Sequence, residues 1–195
     1  GDHRDLHLSL RRQRQMCIRD RFMIAEVARK LKEDNVKLPF GLYITNSVQE
    51  EVGLRGAQMI VDTINPDVAI VTDVGHDTST PMINKIKQGS TKCGDGPILT
   101  YGPAVQNNLL DLIISVAEKN KIPFQRAAAS RSTGTDTDAF AYAKGGVASS
   151  LISLPLRYMH TTVETVHRDD VENVILLIYE CLKVIKNKHD FRYVI

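Results

Sequence analysis

The stretch that decides the fold is residues 42–72, LYITNSVQEEVGLRGAQMIVDTINPDVAIVT. Its first seven residues, Leu42–Val48, have the composition of a strand, and Gly56–Thr63 has the pattern of a short helix that an Asn-Pro pair ends. Val68–Thr72 is a continuous apolar run, which is typical of a strand covered on both faces. A strand, a helix and a second strand in this order indicate a parallel sheet.

The same alternation continues on both sides of this stretch. The apolar spacing predicts helices around Ile24–Leu31, Val105–Val116 and Asp136–Lys144, and a last helix from about Asp169, where Asp-x-x-Glu resembles a capping box. Further strands are predicted at Phe124–Ala128 and Val147–Leu154, and a long loop at Asp73–Gly96. We therefore predict an α/β fold, a three-layer domain with a mostly parallel central sheet flanked by helices, over residues 22–195.

The charge of the chain is unevenly distributed. The 195 residues include 25 Lys and Arg against 23 Asp and Glu, a net charge of +2, which argues against a polybasic nucleic-acid-binding protein and against an acidic disordered tail. Residues 1–21 hold six Arg and three Asp, so the other 174 residues carry a net charge of −1. Ser9–Arg21 (SLRRQRQMCIRDR) also resembles a translated sequencing adaptor. We predict that residues 1–21 are a non-native or disordered basic segment.

Cysteine usage and hydropathy indicate a cytoplasmic protein. Cys17, Cys93 and Cys181 have no CxxC spacing, which favours a reducing compartment without disulfides or a structural zinc site. Cys181 falls on the apolar side of the last predicted helix and is expected in the core. No run of about 18 apolar residues occurs, so no membrane span is predicted.

Acidic and imidazole side chains follow three of the predicted strands. Glu50 and Glu51 follow the first, Asp73 the second, and His160 comes shortly after the last. In an open α/β sheet, ligand-binding groups gather at the carboxyl ends of strands. Carboxylates and a His that converge there suit a divalent metal, Zn²⁺ especially. Of two adjacent Glu side chains, one could bind the metal and the other could act as general base on a water.

Each of these residues also has an ordinary structural interpretation. A Glu-Glu pair at a turn is commonly solvated, Asp73 could be a turn residue, and His160 could be a structural histidine. Asp136, in Gly-Thr-Asp-Thr-Asp, is expected to cap the following helix, although the helix N-terminus could also bind a substrate group. His76 is expected to be solvent-exposed. The individual residues leave these alternatives open.

Taken together, the motifs resemble those of a known family. The run Val48–Ala57 (VQEEVGLRGA) closely resembles the signature of the M42 metallo-aminopeptidases, also called glutamyl aminopeptidase-like or tetrahedral aminopeptidases. The resemblance continues through Ala69–Asp73 (AIVTD), Gly134–Asp136 (GTD) and Pro155–His160 (PLRYMH), and covers about residues 22–185. It implies a zinc-exopeptidase-like fold and the removal of N-terminal residues from peptides with two divalent ions, Zn or Co. By motif position, Glu50 would be the general base, Glu51 and His160 would bind one metal, and Asp73 the other.

The chain also departs from the family pattern. The family has an N-terminal His-x-Asp ligand motif, then a PDZ-like inserted domain, then an Asp-Asp-Arg motif with a bridging Asp, and we expect the inserted domain, one His ligand and the bridging Asp to be missing from this chain. That motif would fall near Met16–Ile18, and because Asp20 is four positions out of step we do not assign it the bridging role. The metal site is therefore expected to be incomplete, and the chain to be the C-terminal part of a catalytic domain that is inactive or nearly so.

The resemblance also sets expectations about partners. Peptides are the expected substrates, and no nucleic acid or membrane partner is expected. The family forms homo-oligomers through the inserted domain, so the same assembly is not assumed for this chain. A related di-zinc amidohydrolase or carboxypeptidase of the M20 or M28 type is the alternative, although the continuous QEEVGLRGA run argues against it.

Overall fold

A computed structural model describes residues 19–187 and 189–191. The predicted basic segment up to residue 18, Cys17 within it, and the last four residues of the predicted domain lie outside the described residues. The first helix, α1, covers 19–33. The other elements follow in the order α2 (Arg55–Ile64), β1 (Val68–His76), α3 (Lys85–Gln88), β2 (Ile98–Tyr101), α4 (Asn107–Lys119), β3 (Gln125–Ala128), α5 (Asp136–Ala141), β4 (Ala148–Leu156) and α6 (Arg168–Val184).

The four strands form one mixed, mostly parallel sheet in the order β1-β4-β2-β3. β1 pairs with β4 in parallel from Val68 opposite Ala148 to His76 opposite Leu156, and β2 pairs with β3 in parallel. The remaining pairing, between β2 and β4, is antiparallel. The predicted α/β class is confirmed, and the parallel pairing brings the carboxyl ends of β1 and β4 to one edge of the sheet.

Helices pack against the sheet around its central strand, β4. Eight of the nine β4 residues are buried, as expected for a strand with a nearly continuous apolar sequence. α4, α5 and α6 all contact β4, and α2 packs on α5. The largest core cluster joins α1, α4 and α6 to β4, and its fully buried members include Met23, Leu109, Ile152 and Leu177. This core holds β4 in place, and β4 in turn positions β1.

Two strand predictions differ from the structure, and one strand was not predicted. Residues 42–48 form no strand but an irregular, mostly exposed segment. β1 exists and lies at one edge of the sheet that the described residues form, but eight of its nine residues are only half-buried, so the expected full cover on both faces is wrong for this part of the chain. β2 was missed, because Ile98–Tyr101 follows a loop rich in polar and turn-forming residues and is only four residues long.

The helix predictions hold, with different ends. α6 begins at Arg168, and the side chain of His167, not Asp169, caps it by accepting a hydrogen bond from the backbone N–H of Asp169 at 3.3 Å. Residues 19–21, which the charge pattern assigns to the basic segment, are helical. Arg19 donates a hydrogen bond to Glu164 at 2.8 Å, and Arg21 donates one to Asn46 at 3.0 Å.

The two described cysteines are free thiols, and Cys181 is fully buried in the core as predicted. Burial raises the pKa of both thiols to about 12, so neither is a reactive thiolate near neutral pH. Among the described helices, none is long and apolar enough to cross a membrane.

Candidate active site

The edge of the sheet where β1 and β4 end carries the predicted site residues. Asp73 is the sixth residue of β1 and is only 7% exposed, with its partner Ser153 on β4. The backbone N–H of Val74 donates to its Oδ1 at 2.7 Å. β4 delivers the chain to the same edge, and the loop that follows it carries His160.

A tight turn positions Glu50 and Glu51 although no strand precedes them. The carbonyl oxygen of Glu50 accepts hydrogen bonds from the backbone N–H groups of Gly53 and Leu54 at 3.1 and 3.0 Å. The turn is locked to the segment before it, because the N–H of Gly56 donates to Val48 at 2.9 Å and a Cβ at Gly56 would lie 2.4 Å from the Val48 backbone. Glycine is therefore required at position 56, at the start of α2.

Glu164 holds the loop that carries His160. The backbone N–H of His160 donates to Glu164 Oε1 at 2.8 Å, while Arg19 on α1 donates to Oε2 of the same carboxylate at 2.8 Å. The Glu164 side chain is only 2% exposed, so this ion pair is shielded from water. His160 itself adopts a left-handed backbone conformation, with φ of 63°. Its Nε2 lies 3.8 Å from Glu51 Oε1, so the two predicted ligands of one metal are neighbours.

The structure contradicts two further predictions, the exposure of His76 and the capping role of Asp136. His76, expected to be exposed, is half-buried at the end of β1, and burial together with the neighbouring His160 lowers its pKa. Asp136 does not cap α5: the side chain of Thr135 does, by accepting from the N–H of Thr137. Asp136 lies in the first turn of α5 instead and accepts a hydrogen bond from Ser47.

Asp20 lies beside the candidate site residues, although its motif spacing provides no reason to assign it a role. It lies in α1 and lines one large cavity with Glu50, Glu51, Asp73 and Asp136. One carboxylate oxygen of Asp20 and one of Asp136 are buried without a hydrogen-bond partner among the described residues. The helical spacing of Asp20 could have indicated this position from the sequence. Asp20 precedes the buried Met23 by three residues and the half-buried Ile24 by four, which places it on the inward face of α1.

Burial and mutual repulsion raise the pKa of several of these carboxyl groups. Burial, with the neighbouring charges of Asp20, Asp136 and Glu51, raises the pKa of Asp73 to about 8. The pKa of Glu50 rises to about 8 for the same kinds of reason, with Asp73 as its main charged neighbour. Burial raises the pKa of Asp20 to about 7 although Arg19 opposes the shift. Upward pKa shifts of this kind are typical of clustered carboxylates whose ionised forms are disfavoured by burial and by like charge.

The candidate ligands are of the chemical type that binds a divalent cation, but too few of them come together. Carboxylate oxygens and an imidazole nitrogen are suitable ligands, and orphaned buried oxygens accompany them. Yet among residues 19–187 and 189–191 no three His, Cys, Asp or Glu side chains come together in a way that would hold an ion. The described residues alone therefore do not form a complete metal site.

Comparison with known proteins places the chain in a family. The sequence profile of the M42 glutamyl aminopeptidases matches residues 21–177, and the chain belongs to this family of peptidases. The resemblance found in the sequence is thereby confirmed, and the match favours the M42 family over the M20 or M28 alternative.

Named relatives agree with this assignment. A lysyl aminopeptidase from Pyrococcus furiosus is 36% identical over 85% of this chain. The crystal structure of a TET aminopeptidase from a marine sediment archaeon, Thaumarchaeota archaeon SCGC AB-539-E09, superimposes with a TM-score of 0.79 at 32% identity over 86% of this chain. The Pyrococcus horikoshii TET1 peptidase, described as able to assemble into a tetrahedron or a large octahedral shell, has 30% identity and a TM-score of 0.57 over 69% of this chain.

The chain spans less than half the length of these relatives. It covers 46% of the lysyl aminopeptidase, 47% of the archaeal TET structure and 38% of the TET1 peptidase. More than half of each relative thus has no counterpart in this chain.

Proposed function

We propose that the whole protein is a di-metal aminopeptidase that removes N-terminal residues from peptides, and that this chain supplies part of its active site. The observation that carries the proposal is the convergence of Glu50, Asp73 and the Glu51–His160 pair at one sheet edge, in a chain of the M42 family. The four residues come from three separate parts of the sequence. Their convergence is therefore a property of the fold.

Glu50 is proposed as the general base. It is half-buried, it lies next to the metal-ligand candidate Glu51, and in the metal-free chain burial and Asp73 raise its pKa to about 8. A base whose pKa lies near the working pH combines a useful deprotonated fraction with sufficient proton affinity. In this role Glu50 takes a proton from the attacking water and later delivers it to the leaving amine.

Glu51 and His160 are proposed to contribute to one metal position and Asp73 to the other, with Zn or Co as the ions. Asp20 and Asp136 face the same cavity, and their oxygens that lack partners among the described residues make them candidates for the same cation cluster. Since the described residues do not complete a site, the remaining ligands are proposed to come from the part of the protein outside this chain. By itself, the chain is expected to have little or no activity.

The Arg19–Glu164 pair is proposed as a positioning element. It ties α1, which carries Asp20, to the loop that carries His160, and both of its members are largely shielded from water. The same pair thus fixes the position of Asp20 relative to His160.

A chimera tests the proposed function. Residues 21–177 of this chain would replace the matching segment of the Pyrococcus furiosus lysyl aminopeptidase, and hydrolysis of aminoacyl-nitroanilides would be measured with added Zn or Co. We expect turnover by the chimera, and a loss of about 10²–10⁴-fold in kcat for Glu50→Gln, the range typical of a lost general base. Glu172→Gln, an exposed change on α6, is the matched control.

Two outcomes would contradict the proposal. One is a folded chimera that fails to hydrolyse any aminoacyl-nitroanilide. The other is a chimera in which Glu50→Gln is as active as Glu172→Gln, since Glu50 would then have no catalytic role. Normal turnover by the isolated chain would separately refute the claim that its site is incomplete.

A further inference from the structure

A second, smaller cavity lies outside the candidate active site. Its volume is about 250 Å³, below the roughly 300–1,000 Å³ typical of ligand pockets, so it suits a small ligand. It shares no lining residue with the large cavity that contains the carboxylate cluster. Its walls come from the residues just after β1, the loop between α3 and β2, the first residue after β4, and the residues just before α6.

Two basic side chains and a histidine line this small cavity. Lys92 lies in the loop before β2, Arg157 directly after β4, and His167 at the N-cap of α6. Within the part of the chain that the structure describes, neither Lys92 nor Arg157 forms an ion pair with a carboxylate. Basic groups that converge on one cavity without acidic partners create a positive potential there, which attracts an anion.

The guanidinium of Arg157 has an unused donor. Its Nε is buried, yet it donates to no acceptor among the described residues. Its Nη2 donates to the hydroxyl group of Tyr158 at 3.3 Å, and the guanidinium lies over the Tyr158 ring, 5.2 Å from the ring centre, so the group is held in one orientation. A buried donor without an acceptor is unfavourable, and guanidinium groups bind oxyanions through parallel N–H groups. An oxyanion in the cavity would provide the acceptor that this N–H lacks.

His167 can provide a further donor. Its Nδ1 accepts a hydrogen bond from the backbone N–H of Asp169 at 3.3 Å, so in the neutral ring the proton is on Nε2. The carboxylate of Asp169 also approaches Nδ1, at 3.9 Å. The ring packs on Gly94, where a Cβ would lie 3.7 Å from the imidazole Cδ2. These contacts fix the ring beside the cavity and leave the Nε2–H group available to a ligand.

Asp77, the acidic residue that lines the cavity, does not cancel this positive charge. It is 1% exposed, and its carboxylate oxygens already accept three hydrogen bonds, two from Ser79 and one from the backbone N–H of Cys93. One carboxylate against Lys92 and Arg157 leaves the lining positive. A metal ion is not favoured here either, because the two basic groups repel it and burial raises the pKa of the Cys93 thiol to about 12, so no thiolate is available as a ligand.

We propose that this cavity binds a small oxyanion, either inorganic phosphate or the phosphate group of a small monoester, through Arg157, Lys92 and His167. A doubly charged tetrahedral ion has acceptor oxygens in several directions, which suits donors that come from three separate segments. A monocarboxylate has two oxygens in one plane and a single charge, so it suits them less well. The proposal uses no residue of the carboxylate cluster and does not depend on the proposed function.

The bound ion would also brace the loop that carries His160. Arg157 and Thr165 exchange two backbone hydrogen bonds, at 2.9 and 3.1 Å, which close residues 158–164 into a loop. Because Arg157 lies at the base of this loop, an ion that joins its guanidinium to Lys92 restrains the base. Binding should therefore slow amide hydrogen exchange in residues 157–165.

Titration of the full chain with inorganic phosphate tests the site. Binding would be measured by calorimetry and hydrogen exchange in metal-free buffer with about 0.15 M NaCl, which screens attraction between exposed charges. We expect one ion per chain, half-saturation at or below about 1 mM, and exchange in residues 157–165 slowed about threefold or more. Lys92→Met and Arg157→Met should each weaken binding about tenfold or more. Lys32→Met and Arg29→Met, exposed changes on α1, are the matched controls and should bind like the parent.

Titrations with glycerol 3-phosphate and with acetate distinguish the ligands. Tighter binding of glycerol 3-phosphate than of phosphate would assign the site to a phosphorylated small molecule, and the reverse order would assign it to the free ion. Acetate should bind about tenfold more weakly than either.

Three results would overturn the proposal. The first is half-saturation by phosphate above about 20 mM, which is the weak attraction of any basic surface. The second is equal binding by Lys92→Met and Lys32→Met, because the ion would then lie elsewhere. The third is acetate that binds as tightly as phosphate. Lys92 is exposed, so Lys92→Met keeps the test decisive even if Arg157→Met does not fold. None of these measurements depends on peptide hydrolysis.

Discussion

Replacing Asp73 by asparagine should change how the stability of the metal-free chain depends on pH. Asp73 is 7% exposed and lies among other carboxylates, and its pKa is about 8 in the folded chain against an ordinary value of 3.8. Its Oδ1 accepts a hydrogen bond from the N–H of Val74, which an asparagine side chain can also accept. The substitution therefore removes the titration while it preserves the shape and one hydrogen bond.

The sign of the effect follows from proton binding. Between pH 3.8 and about 8 the folded chain holds a proton on Asp73 that the unfolded chain has released, so raising the pH destabilises the fold. One proton of difference corresponds to about 1.4 kcal/mol per pH unit. From pH 5 to pH 7, Asp73 alone therefore lowers the free energy of unfolding by about 3 kcal/mol. The Asp73→Asn variant does not titrate at this position, and it should be about 4 kcal/mol more stable than the parent at pH 7.

Urea unfolding at pH 5, 6, 7 and 8 in the presence of EDTA measures this directly. The difference in the free energy of unfolding between Asp73→Asn and the parent should grow with pH, with equal m-values in both proteins. Asp111→Asn, an exposed change on α4, is the control and should follow the parent. Parallel pH profiles for Asp73→Asn and the parent would refute the conclusion that Asp73 is held protonated by its surroundings.

The remaining predictions concern the framework of the site and are measured by urea unfolding at pH 7. Gly56→Ala would place a Cβ 2.4 Å from backbone atoms and should destabilise the chain by about 1–3 kcal/mol, whereas Gly41→Ala, with its nearest neighbour at 3.8 Å, should be nearly neutral. A fully buried carboxylate, Asp170, accepts hydrogen bonds from two glycine N–H groups at 2.7 and 2.8 Å, and Asp170→Asn should cost about 1.5–3 kcal/mol because the amide can accept only one of them. Tyr179→Phe removes the hydrogen bond to Asp34 and should cost about 1 kcal/mol. A surface substitution typically changes the free energy of unfolding by less than about 0.5 kcal/mol. A change no larger than this for Gly56→Ala, Asp170→Asn or Tyr179→Phe would contradict the prediction for that residue.

Local patterns in the sequence were sufficient for the fold class and for much of the site. The helical spacing of Val27 and Leu31 and the apolar run of β4 identified core elements correctly, because these elements bury the faces that their own sequences make apolar. Asp73 lies in β1 and His160 in the loop after β4, two strands whose parallel pairing brings their carboxyl ends to a common edge, whereas Glu50 follows no strand and was recognised from the VQEEVGLRGA motif. The inferences about core elements need only the periodicity of one element. The inferences about strand ends need in addition the direction of the neighbouring strands.

Other features depend on what lies across space from an element, and only the tertiary structure decided them. The apolar run Val68–Thr72 does not reveal that β1 pairs with only one strand among the described residues, because the same sequence would suit a strand with two neighbours. The segment 42–48 has a strand's sequence, yet a strand exists only where another strand supplies hydrogen bonds, and none of the described residues does so. Asp20 lines the cavity with the candidate site residues because α1 packs on the core in one orientation, and that orientation depends on long-range contacts that the sequence of α1 does not contain.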